Sequence, residues 1–250
     1  MAKKKPRTPQ PPRKVQAPQQ RQAQRQPMDR ARQRNILFGV AGLGVVGLVV
    51  ALVVIFASGG SSKDAAGGSD STVRNAMTTA GCTYVSKAPL PPKKKVPSGF
   101  HLDVPTLTTK VKWSTFPPSG GSHYPLWAVW GFYTQPVNPR QVVHNLEHGG
   151  VILWWGPNVP ESTVSELRSF YNESPTAMFG TPIAGLGNKV AISAWTGDPA
   201  RYYRDGYYGI GHLAVCPTFD KGAFTTFRDA FRGHGPEGVP MDADQEGSGP

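Results

Sequence analysis

The sequence is short of the marks that most enzymes carry. It has no glycine-rich nucleotide loop, no dinucleotide fingerprint and no catalytic nucleophile motif. Those absences argue against nucleotide-dependent and nucleophile-dependent catalysis. It has no internal repeat, which excludes a solenoid. Cysteine is scarce: Cys82 and Cys216 are the two present, enough for a single bridge. Acidic residues are nearly missing from the start, where Asp29 alone faces eleven Lys and Arg among residues 1–35. The other 215 residues carry 16 of the 27 basic and 15 of the 16 acidic side chains. The tail therefore carries +10 of the formal charge of +11. The rest is near neutral and gives no reason to expect a nucleic-acid partner.

What is present first concerns topology. Residues 1–35 are rich in Pro, Gln, Arg and Lys and poor in large apolar groups, so they read as a disordered basic tail. Residues 36–57 follow as a transmembrane helix. Its apolar run Ile36–Phe56 has no charged residue, and at about 1.5 Å per residue it spans about 32 Å, enough for a hydrocarbon core of about 30 Å. Arg30, Arg32 and Arg34 abut its start, which places the N-terminus in the cytoplasm and the rest outside. A cleaved signal peptide is the competing reading, but the run is long and ends without a good Ala-x-Ala site. The expected location is the cell membrane, single-pass. The expected lipid contacts are the span and the basic tail. On the outer side, Cys82 and Cys216 are expected to pair, with free or metal-bound thiolates as the alternative.

Residues 58–77 read as a Gly/Ser linker, 78–237 as one compact extracytoplasmic domain and 238–250 as a loose polar tail. Three helices are expected in the domain. Asn138 and Pro139 open one over Pro139–His148, closed by Gly149. Thr163 and Glu166 form a capping box ahead of Val164, Leu167, Phe170 and Tyr171. Asp220 precedes the stripe Phe224, Phe227 and Phe231, with Gly233 as the stop. Leu126–Trp130, Val151–Trp155, Lys189–Trp195 and Leu213–Cys216 read as strands, the second of them interior because it is apolar throughout. Short strands mixed with separate helices give an α+β fold with a small sheet.

The chemistry concentrates in "HNLEHGG", His144–Gly150. On a helix His144 and His148 share one face with Glu147 beside them, while Val142, Val143 and Leu146 face the core. His123 stands at the end of a second distinctive stretch, "FPPSGGSHYP". His101 and His212 are further contributors. Three readings follow for His123, His144, Glu147 and His148. The first is a buried hydrogen-bond network in an envelope structural or interaction domain. The second is a transition-metal site, Cu or Zn. The third is a zinc-dependent hydrolase of the H-x-x-E-H type, in which the glutamate is the general base and a further acid binds the metal. Against the third, the two glycines end the helix at once, and Glu161, Glu166 and Glu173 have no distinctive context.

The stretches "PPSGGSHYPLWAVWGFY", "VVHNLEHGGVILWW", "VAISAWTG" and "CPTFDKGAFTTFRDAFRGHGPE" resemble the bacterial domain-of-unknown-function family 3105 over about residues 101–237. The resemblance implies a cytoplasmic N-terminus, one membrane helix and an outer domain. It implies no activity. Where the family has Pro-Pro-Thr-Ser-Gly-Pro-His, Ser122 here replaces the proline before His123. His123, His144, Glu147 and His148 match its motifs.

Overall fold

The computed structural model describes residues 65–92, 100–102, 106–202, 204 and 206–242. The basic tail, the expected span and residues 243–250 lie outside them. No helix among the described residues is long and apolar enough to cross a membrane.

The described residues open with helix α1 (Ala65–Thr79), which corrects the linker reading over residues 65–77; residues 58–64 lie outside the described residues. Composition there is poor for a helix, but Val73 and Met77, one turn apart and fully buried, lock it onto the domain. Packing of such a face, more than propensity, stabilises most helices in proteins. Strand β1 (Thr83–Lys87) follows. After a long irregular segment come α2 (Pro139–Glu147), β2 (Val151–Trp155), α3 (Glu161–Glu173), β3 (Met178–Pro182), β4 (Val190–Thr196), β5 (Ile210–Cys216) and α4 (Lys221–Phe231). The fold is α+β, with a five-stranded sheet in the order β1-β5-β4-β2-β3. The β2–β3 pair is parallel and the other pairs are antiparallel. β2 is interior and buried at all five positions, as its apolar run requires.

Alternation along the strands divides the core in two. Val151, Leu153, Ile192 and Ala214 meet α1, α3 and α4 on one face. Ile152, Trp154, Ala191, Trp195 and Leu213 meet Val142, Val143 and Leu146 of α2 on the other. Cys82 and Cys216 are bridged. Continuing the β1–β5 register, in which Thr83 faces Val215, sets them opposite one another at the end of the pair. In the chain-entropy picture, closing a loop of sequence separation 134 stabilises by about 4–5 kcal/mol.

Two local expectations are corrected. Leu126–Trp130 is no strand. The Asn145 side chain, reaching from α2, pairs with both the N–H and the C=O of Ala128 at 3.0 and 2.9 Å, doing what a neighbouring strand would do. The Thr163–Glu166 box does not cap α3, which starts two residues earlier behind Pro160, with no side-chain cap. Asn138 caps α2 as expected, its Oδ1 accepting from Arg140 N, and Asp220 caps α4, its Oδ1 accepting from Ala223 N.

Candidate metal centre

The centre lies on the α2 face of the sheet. Three backbone devices build it. The first is a two-rung parallel ladder that ties His101 to His123: Leu102 N donates to His123 O at 2.9 Å, and His123 N to Phe100 O at 3.0 Å. The second is the turn before His123. Gly120 and Gly121 sit at φ +147° and +114°, and a Cβ on Gly120 would lie 2.7 Å from the Trp195 ring, so glycine is required there. The third is the end of α2, where His148 is the C-cap and Gly149 turns left-handed at φ +85°. A Cβ on Gly149 would stand 2.9 Å from Gly235 N. That close approach, with Gly233 N donating to Gly149 O at 2.8 Å, carries the segment after α4 up to the centre.

Four ligand atoms, one each from His101, His123, His144 and Glu147, all lie within 4.8 Å of one another. His123 Nε2 is 2.9 Å and His101 Nε2 3.6 Å from Glu147 Oε2. Glu147 and His123 are fully buried, whereas His101 keeps 25% of its side chain exposed. The tautomers of two rings follow from their partners. His123 Nδ1 lies 2.8 Å from Gly121 O, and His144 Nδ1 lies 3.0 Å from Tyr124 O. A carbonyl oxygen only accepts, so both Nδ1 atoms carry a proton and each ring turns its Nε2 inward. Tyr202 donates to Glu147 Oε1 at 2.5 Å.

Charge is arranged to match. Burial acts to raise the pKa of Glu147. The charge of His123, and hydrogen bonds from His101 and His123, outweigh it and hold the carboxyl well below its ordinary range. Burial, helped by the neighbouring His123 charge and opposed by Glu147, pushes His144 down to about 2. His144 is therefore a neutral imidazole with its lone pair available, the form that binds metals.

The structure brings together all four residues singled out by sequence, but not at one point. His148 joins a second group, with His144 and Glu237. His144 Nε2 is 3.0 Å from His148 Nε2, which is 3.3 Å from Glu237 Oε2. His101 is a full member of the inner group. His212 is not: it alternates with Leu213 onto the opposite face, where it meets Tyr84, Thr196 and the Phe231 ring. Tyr202 and Glu237 carried no local signal, since each reaches the centre only through tertiary contact. The H-x-x-E-H arrangement differs from that of the inverted zinc peptidases. Tyr202 and His123 face the two oxygens of Glu147, so protein groups engage both sides of the carboxylate.

A mixed sheet with helices on both faces and a buried cluster of three histidines and a glutamate defines the class of domain. Residues 106–243 match the family described as Protein of unknown function (DUF3105), and the chain belongs to that family. No curated protein matches the chain, and neither does any solved structure. His101 and Cys82 fall outside the matched residues, whereas Cys216, Tyr202 and Glu237 fall inside.

Proposed function

We propose that the domain binds a transition-metal ion through His101, His123, His144 and Glu147, on the outer side of the membrane that Ile36–Phe56 anchors. One observation carries the reading. Two imidazoles whose Nδ1–H is spent on backbone carbonyls aim Nε2 at the place where a buried, ionised carboxylate also points. Groups so gathered share a cation, a proton or a metal ion in its place. Zinc bonds of about 2.0–2.1 Å give a tetrahedron with edges of about 3.3 Å. The separations of 2.9 and 3.6 Å at Glu147 bracket that value. No thiolate is available, because both cysteines are bridged. Three imidazoles and a carboxylate suit zinc(II) first and copper(II) second. The bond from His144 to Tyr124 O also pins the His123 loop to α2, so a structural role persists beside the metal.

The test uses the full-length chain in mild detergent, with cobalt(II) as a spectroscopic stand-in for zinc. The expected result is one cobalt per chain, with the strong visible bands of a tetrahedral site. Glu147→Gln keeps the shape of the side chain and removes its charge. It should weaken binding by more than the about 10–100-fold that loss of an outer partner costs. Equal binding by the two proteins would sink the proposal.

A further inference from the structure

His144 belongs to both ligand groups, yet it has one nitrogen to give. Its Nδ1 is committed to Tyr124 O, so Nε2 must serve the inner group with His101, His123 and Glu147 and also the outer group with His148 and Glu237. An imidazole lone pair binds a single ion at a time, so the two positions exclude one another. They reach solvent at different residues. The inner group does so through His101, 25% exposed, with Glu147 and His123 fully buried, and the outer group through Glu237, 32% exposed, with His148 at 7%. The ligand atoms follow in short steps from the surface inward, 3.3 Å from Glu237 to His148 and 3.0 Å from His148 to His144.

We infer that His148 and Glu237 form an outer relay position, through which a divalent transition-metal ion is handed by His144 into and out of the inner centre. This rests on the metal-binding reading above. The outer trio holds the ion while its water is shed. His144 then swings its bond from one position to the other, with no change in the ring's carbonyl contact. An ion at the outer position has three protein ligands and keeps water in the rest of its shell, and at the inner position it has four. The arrangement at Gly149 and Gly235, whose backbones touch where a Cβ would clash, sets Glu237 beside His148.

A relay acts on rates in both directions. Cobalt(II) loading and its removal by excess chelator would be followed by stopped-flow absorbance on the full-length chain. Glu237→Gln should slow loading and removal by the same factor, about tenfold, the size of effect that loss of one group beside a metal has. Glu173→Gln, on α3 across the sheet, serves as the control and should alter neither. His148→Gln should act as Glu237→Gln does. Slower loading with unaltered removal would reduce Glu237 to long-range attraction and overturn the relay. So would unaltered rates, or two cobalt ions per chain. Absence of any cobalt binding by the unsubstituted chain would overturn the metal centre itself, a distinct outcome.

Discussion

At the scale of single residues, a histidine is defined by what its second nitrogen touches. His123 and His144 spend Nδ1 on carbonyls and offer Nε2 to the centre. His212 spends both: Nδ1 lies 2.9 Å from the Tyr84 hydroxyl and Nε2 lies 2.8 Å from Thr196 Oγ1. It is a structural group, and its contribution should be visible in pH. Burial pushes its pKa down to about 4, opposed by Asp70 and helped by Arg74. The unfolded chain takes up the proton near pH 6.5 and the folded chain only near 4, so the unfolded state holds more protons between them. Stability from this residue is therefore complete above about pH 6.5 and is lost as pH falls toward 4, amounting to about 3 kcal/mol. Urea unfolding at pH 7.5 and 4.5 should show a steeper acid loss in the unsubstituted chain than in His212→Gln. Parallel losses would contradict the assignment. Sequence showed His144, Glu147 and His148 as a group because one helical turn joins them. It showed His123 through the glycines that a tight turn needs. Tyr202 and Glu237 were not legible, since nothing near either residue records which side chain it will meet.

At the scale of elements, legibility followed the strength of local patterning. α2 and α4 were readable from Asn138 with Pro139 and from Asp220 with three phenylalanines, because cap and stripe agree. β3 was not, since Gly180 and Pro182 break its pattern. Gly180 is there because a Cβ would lie 2.4 Å from the Phe132 ring. α1 was hidden by a composition that matches a linker. Its Arg74–Asp70 pair is exposed and weak, so the helix rests on Val73 and Met77 and on the 2.6 Å bond from the Tyr84 hydroxyl to Asp70. Met77→Ala should cost about 2–5 kcal/mol in chemical denaturation, as for a fully buried side chain. A loss within about 0.5 kcal/mol, the range of a surface change, would return residues 65–79 to the linker.

At the scale of the whole molecule, the metal proposal depends on compartment. The bridge between Cys82 and Cys216 fits an oxidising space, and the arginines before Ile36 fit a cytoplasmic N-terminus. We propose that orientation on those grounds. A reporter active only outside the cytoplasm, fused after Ser62 and so ahead of α1, should be active. An intact but silent fusion would reverse the topology, and with it the supply of metal that the domain could meet.

The most direct test of the central claim is X-ray absorption at the zinc edge on the zinc-loaded full-length chain. The account predicts nitrogen and oxygen neighbours at about 2.0–2.1 Å, with the outer-ring scattering of two to three imidazoles and no sulfur. A sulfur shell at about 2.3 Å, or a spectrum of hydrated zinc without imidazole, would contradict it.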